Sequence, residues 1–146
     1  MSTTPAMSKE PANITPRGDV GLRVFVVEDA PAVRERLCEE LNDIAGVCVV
    51  GSADGEPAAL AGIQSSDCDV VVLDIKLREG SGFGVLRGLR NLDFARGAPP
   101  LCIMLSNFTE SGYRLQAERL GARHFFDKSA ELLDLLALIE TLAREA

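Results

Sequence analysis

Val70-Val71-Val72-Leu73-Asp74 decides how this chain folds. An unbroken apolar run rich in β-branched residues, with no alternation, describes a strand buried on both faces, as in the interior of a parallel sheet. An ionised aspartate inside such a strand would cost several kcal/mol. It is tolerable at the carboxyl end, where open α/β sheets place their binding crevices. The position of Asp74 therefore marks a site as well as a strand end.

Working outward, four other short apolar runs predict strands: Leu22 to Val27, Val47 to Val50 closed by Gly51, Leu101 to Leu105 entered from Pro99-Pro100, and His124 to Phe126. Between them lie stretches with helical signals. Pro31 suits a first helical turn and is followed by Val33, Leu37, Leu41 and Ile44. A small-residue helix is expected from about Glu56 to Gln64. The Gly80-Ser81-Gly82 turn leads to a helix carrying Val85, Leu86, Leu89 and Leu92. A further helix spans about Glu110 to Leu120 and stops at Gly121, and the last runs from about Ala130 to Ala143. Strands and helices in strict alternation predict an α/β fold with a parallel sheet covered on both faces. In a chain of this size the flavodoxin-like doubly wound (βα)5 arrangement, a five-stranded sheet of order 2-1-3-4-5, is favoured.

Residues 1–20 carry Pro5, Pro11 and Pro16 among small polar residues and are expected to form a disordered tail, leaving 21–146 as one domain. The 146-residue chain is 47% hydrophobic and 25% charged, the composition of a globular domain. A net charge of −7 and a pI near 4.7 argue against direct nucleic-acid binding, which needs clustered Lys and Arg. No apolar stretch approaches a membrane span or a signal-peptide core, so the expected location is cytoplasmic, without membrane contact. Cys38, Cys48, Cys68 and Cys102 are scattered, with no CxxC pair, and read as small hydrophobes rather than ligands. His124 has no Cys or His neighbour and reads as a strand residue at the sheet surface.

In the expected topology the carboxyl ends of strands one, three, four and five line one edge. They carry Glu28 and Asp29, then Asp74, then Ser106, then Lys128. Two like charges about 4 Å apart repel by roughly 4 kcal/mol at an effective dielectric near 20. Three carboxylates so placed call for a cation beyond the one ammonium, and a hard divalent ion with oxygen ligands, Mg²⁺ above all (or Mn²⁺), would balance the rest. These are the parts that phosphoryl transfer to a carboxylate requires, with the central Asp74 as nucleophile.

The stretches VFVVEDAP, VVVLDIKLREGSGFGVL, LCIMLSNF and FFDKS, in that order, resemble the CheY-like receiver domain of two-component response regulators. The resemblance covers about Leu22 to Ala146. It implies that Asp74 accepts a phosphoryl group from a phosphohistidine on a histidine kinase or histidine phosphotransfer protein. Mg²⁺ would be held by Asp29, Asp74 and the backbone carbonyl of Lys76, with Glu28 acting through water. Ser106 and Lys128 would bind the phosphoryl oxygens. Ser106 would move inward on phosphorylation and Phe125 would turn in behind it. Lys76, Asn107 and the adjacent Phe108 are the positions expected to tune the site. Asn107 stands where the family usually has Ala or Gly, Ser106 replaces the more frequent Thr, and Phe125 lacks the hydroxyl of the frequent Tyr.

The final helix ends near the chain terminus, so a stand-alone receiver is expected, one that is not itself an enzyme beyond its own phosphorylation and dephosphorylation. By resemblance, its downstream protein target would dock on the face of helix four, strand five and helix five, and a homodimer could use the same face. In the last helix Leu132, Leu135, Leu136, Ile139 and Leu142 form one stripe, widened by Leu133 and Leu138. The excess fits either a broad end packed on the sheet or an exposed docking patch. Three other readings compete. A haloacid-dehalogenase-type phosphatase would need a second Asp where Lys76 stands. A flavodoxin-like electron carrier would need a phosphate cradle where Glu28 and Asp29 stand. A pseudo-receiver would bind partners without phosphorylation.

Overall fold

The computed structural model describes residues 21–146, so the expected tail at 1–20 lies outside the described residues. Five strands, β1 (Leu22–Val27), β2 (Val47–Ala53), β3 (Val70–Leu73), β4 (Leu101–Ser106) and β5 (His124–Asp127), form one parallel sheet of order β2-β1-β3-β4-β5. The helices are α1 (Pro31–Asn42), α2 (Glu56–Ser66), α3 (Gly82–Leu89), α4 (Ser111–Arg119) and α5 (Leu132–Glu145). This is the doubly wound, flavodoxin-like architecture expected from the alternation of apolar runs.

Each central strand feeds two cores, which is why its sequence shows no polar alternation. Phe25, Val27, Val71, Leu73, Cys102 and Met104 face one side, under Ala59 and Ile63 of α2, Val85, Leu86 and Leu89 of α3, and Ala117 of α4. Val24, Val26, Val70, Val72, Ile103 and Leu105 face the other, against Leu37 and Leu41 of α1 and Leu135 and Ile139 of α5. Val70, Val71, Val72 and Leu73 are all buried.

Several boundaries differ from the sequence reading. β2 does not stop at Val50. A register shift opposite Val24 and Phe25 carries it through Gly51, paired with Phe25, to Ala53, paired with Val27. The bulge lets the strand pass a residue that composition alone marks as a breaker. The strand β3 ends at Leu73, one residue before Asp74. Val33, assigned to the apolar stripe of α1, is 41% exposed, and Ile44 falls beyond the helix end. Leu92 likewise lies past α3, half-buried against the first core. The last helix begins at Leu132, because residues 127–131 are used in a turn: Asp127 Oδ1 accepts from the Ser129 amide, and the Asp127 carbonyl accepts from the Glu131 amide at 2.7 Å.

The leucine excess of α5 resolves mainly as a broad packed face. Leu132, Leu136, Leu138 and Leu142 are partly buried against the second core, and Leu133 alone among the helix's leucines points outward, 79% exposed. His124 lies half-buried in the edge strand β5, its ring stacked 6.2 Å from that of Phe126. The four cysteines carry free thiols; burial pushes that of Cys102 up to about 12, which removes it from thiolate chemistry. Among the described residues, no helix is long and apolar enough to cross a membrane.

Ile139→Ala is expected to cost about 2–5 kcal/mol in urea unfolding with an unchanged m-value, from a fully buried side chain left as a cavity. Leu133→Ser on the same helix is expected to stay within about 0.5 kcal/mol of the native chain.

Candidate functional site

The carboxyl ends of β1, β3, β4 and β5 bring Glu28, Asp29, Asp74, Ser106 and Lys128 to one edge of the sheet. The backbone sets each one. The Asp74 amide bonds to the Val27 carbonyl at 3.1 Å, so the register of β1 against β3 places Glu28, Asp29 and Asp74 side by side. The Lys128 amide bonds to the Ser106 carbonyl at 3.0 Å, which fixes the ammonium beside β4. From there Lys128 Nζ reaches Glu28 Oε1 at 2.6 Å and Asp74 Oδ2 at 2.5 Å.

Glu28 and Asp74 are 3% and 7% exposed, so these are buried charges that must be satisfied. The second oxygen of Glu28 accepts from the Ala30 amide at 3.0 Å, and Asp74 Oδ1 accepts from the Ile75 amide at 2.7 Å. Burial raises the Glu28 carboxyl above its ordinary value, against the pull of its Lys128 and Ala30 hydrogen bonds. Burial also acts to lower the Lys128 ammonium, but hydrogen bonds to Asp74 and Glu28 outweigh it and hold the group above its ordinary value. Its share of stability is therefore complete below pH 10.5 and lost only as the pH rises through the higher folded value.

One oxygen from each of Glu28, Asp29 and Asp74 can be chosen so that all lie within 4.8 Å of one another. Among the described residues this is the sole such cluster of acidic, histidine or cysteine side chains. Three ionised carboxylates against the single ammonium of Lys128 leave two negative charges uncompensated, and all the donors are oxygens. That donor set fits a small, hard divalent cation. The Lys76 carbonyl is carried on a hairpin closed by the Gly82 amide to the Ile75 carbonyl at 2.7 Å and by an antiparallel bridge between Lys76 and Ser81. Gly82 is required there: a Cβ would overlap the Asp74 carbonyl oxygen. The Lys76 side chain is exposed.

The expected switch residues have partners of their own in this structure. Ser106 is fully buried, and its Oγ accepts from the Phe108 amide at 3.1 Å, which occupies it within its own loop. Asn107 Oδ1 accepts from Ser129 Oγ at 2.8 Å, so its side chain bridges the loops that follow β4 and β5. Phe108 is exposed, its ring edge-on to that of Tyr113 with the centroids 5.8 Å apart. Phe125 is half-buried against the first core, with the Arg114 guanidinium 4.7 Å from its ring centroid. Arg114 also bonds the Thr109 carbonyl at 3.0 Å and so spans the loop entering α4.

Residues 24–140 match the response regulator receiver domain. The chain belongs to the response regulator receiver family. Among its relatives is the protein-glutamate methylesterase/protein-glutamine glutaminase 2 of Xanthomonas oryzae pv. oryzae, 35% identical over 126 residues, covering 85% of this chain and 33% of that protein. Another is the DNA-binding transcriptional activator DevR/DosR of Mycobacterium tuberculosis, 29% identical, covering 82% of this chain and 53% of that protein. This receiver thus spans about a third to a half of the relatives' length. Among solved structures, the NarL signal receiver domain of M. tuberculosis is similar with a TM-score of 0.74 at 27% identity, covering 90% of this chain and all of that one. The response regulator domain of Thermotoga maritima CheB gives 0.73 at 26% identity, covering 85% and 97%.

Residue-by-residue reading passed over three supports of this receiver's site. Arg34 Nη1 donates to the Glu28 carbonyl at 2.8 Å. Ser129 partners Asn107, and Glu56 reaches the hairpin after β3. Only the position of Ser129 next to Lys128 offered a clue. Glu28 and Lys128 together predict a pH signature. A raised Glu28 means that stability declines as pH rises from 4.5 through the folded value, because the buried charge then forms. In urea unfolding without divalent ions, Glu28→Gln is expected to flatten that decline. Lys128→Ala is expected to steepen it and to cost about 3 kcal/mol at neutral pH.

Proposed function

We propose that this receiver takes a phosphoryl group onto Asp74 from a phosphohistidine of a histidine kinase or histidine phosphotransfer protein, in a reaction that depends on Mg²⁺ or Mn²⁺. The observation that carries this reading is Lys128 Nζ held between Glu28 and Asp74, beside an acidic cluster with uncompensated negative charge. Asp29, Asp74 and the Lys76 carbonyl would hold the cation, with Glu28 acting through water. When bound, the cation neutralises charge on the phosphoryl oxygens.

The chain's own residues supply the rest. An Asp74 carboxylate oxygen attacks phosphorus in line; the P–O bond forms as the P–N bond to the donor imidazole breaks, and the imidazole leaves with its electron pair and takes up a proton. The Ile75 amide orients Asp74 by holding Oδ1. Lys128 exchanges a carboxylate partner for a phosphoryl oxygen, keeping its charge compensated. Ser106 gives up the Phe108 amide and donates its hydroxyl to another phosphoryl oxygen, and Phe125 moves into the space behind it. The new charge-assisted bonds bias the loop after β4, as a local electrostatic switch. Asn107, tied to Ser129 across the two loops, sets how readily water reaches the acyl phosphate, and Lys76 and Phe108 tune the rim.

The output follows from this shift. We assign it to binding of a downstream protein on the α4–β5–α5 face, or to pairing of two copies there, in a cytoplasmic signalling protein with no catalytic activity toward other substrates. The pseudo-receiver reading, binding without phosphorylation, keeps one supporting observation: Ser106 Oγ and Asn107 are both engaged within the loops.

Incubation with Mg²⁺ and acetyl phosphate is expected to add one phosphoryl mass, stable in acid and labile in base. Asp74→Asn is expected to add none, and Lys128→Ala to react with a loss of switching. Absence of any gain in the native chain would replace this reading with the pseudo-receiver, and an equal gain in Asp74→Asn would overturn Asp74 as the acceptor.

A further inference from the structure

We infer that Glu56, at the first position of α2, is a positioning residue for the cation-binding hairpin after β3. The inference rests on the reading of Asp74 and the Lys76 carbonyl as a cation-dependent phosphoacceptor site. Glu56 is not in the acidic cluster and belongs to a different strand–helix turn.

The hairpin from Ile75 to Gly82 carries the Lys76 carbonyl, and residues of the turn between β2 and α2 hold it from outside. The Glu56 amide bonds to the Glu79 carbonyl at 2.8 Å, and the Arg78 amide bonds to the Asp54 carbonyl at 3.0 Å. The Glu56 side chain then turns back: Oε1 accepts from the Ser81 amide at 3.2 Å. Ser81 pairs with Lys76 across the hairpin and also caps α3 through its hydroxyl, which accepts from the Gly84 amide at 3.1 Å. One carboxylate is therefore connected through a single residue to both the Lys76 backbone and the start of α3.

The glycines of Gly80-Ser81-Gly82-Phe83-Gly84 are placed partly by the same contact. A Cβ at Gly80 or at Gly84 would run into the Glu56 side chain, whereas one at Gly82 would run into the Asp74 carbonyl. Gly84 is bare to admit Glu56, Gly80 both for that contact and for its φ of +76°, and Gly82 to admit the phosphoacceptor's backbone. The Arg78–Asp54 ion pair, at 3.5 Å with Arg78 largely exposed, adds little to this hold. Removing Glu56 leaves the Ser81 amide without its acceptor and opens space beside Gly80 and Gly84, so the Lys76 carbonyl loses its fixed direction. Groups that orient a ligand in this way typically change metal affinity by about 10- to 100-fold.

The test compares the full native chain with Glu56→Ala and Glu56→Gln. Mn²⁺ binding is followed by water-proton relaxation, and the Mg²⁺ dependence of phosphorylation by acetyl phosphate is measured in parallel. Glu56→Ala is expected to weaken Mn²⁺ binding about tenfold and to raise the Mg²⁺ half-saturation by a similar factor, with the rate at saturating Mg²⁺ within about twofold of native. Glu56→Gln keeps an oxygen acceptor for the Ser81 amide and is expected to recover most of the affinity. Gly84→Ala, which changes no charge and crowds the Glu56 carboxylate, is expected to reproduce the affinity loss should Glu56→Ala not fold. Unchanged Mn²⁺ binding in Glu56→Ala, or an equal defect in Glu56→Gln, would overturn the inference. Failure of the native chain itself to bind Mn²⁺ would instead overturn the cation-dependent reading on which it rests.

Discussion

The Lys128 ammonium between Glu28 and Asp74 is the interaction on which the arrangement depends. It joins residues 100 and 54 positions apart in the chain and spans from the end of β5, past β4, to β3 and β1. Two buried carboxylates at one sheet edge would otherwise repel by roughly 4 kcal/mol at about 4 Å and an effective dielectric near 20. The attraction that offsets this repulsion needs β1, β3, β4 and β5 all in register, because a slip in any of them moves a charge out of reach. The fold and the site are thus one constraint seen at two levels: parallel pairing builds the edge, and the charges on the edge reward that pairing.

The ammonium leaves the account of charge incomplete, and the proposed function uses that incompleteness. The two negative charges beyond Lys128 fit a divalent cation. The hydroxyl of Ser106 and the side chain of Asn107 have partners within the loops after β4 and β5. A phosphoryl group would compete for the first of these partners with charge-assisted bonds, which are roughly twice as strong as neutral ones. In the proposed function, local exchange of hydrogen bonds would then bias the loop after β4.

The strands were legible because a doubly covered sheet demands continuous apolar runs, and Val70 to Leu73 meets that demand with all four side chains buried. The five residues of the edge were legible because each closes its strand or follows it within two residues. Boundaries were less so. The bulge opposite Val24 and Phe25 that carries β2 through Gly51 is a tertiary adjustment with no local signal. Val33 keeps helical spacing with Leu37 and Leu41 yet is exposed at the first turn of α1, because spacing does not say which turns of a helix are covered. The leucines of α5 split between core and solvent by small rotations about the helix axis, which composition cannot resolve. Glu56 and Arg34 were invisible for a different reason: they act on backbone atoms of distant loops, and neither pairing leaves a spacing in the sequence.

The central claim is that Asp74, among the three acidic residues gathered at this edge, is the group that becomes phosphorylated. Treating the phosphorylated chain with borohydride reduces an acyl phosphate to the corresponding alcohol, and tandem mass spectrometry then locates the altered residue. The account predicts homoserine at position 74 alone, formed only when Mg²⁺ and the phosphoryl donor are both present. Reduction at Asp29 or Glu28, or at no residue of the edge, would contradict it.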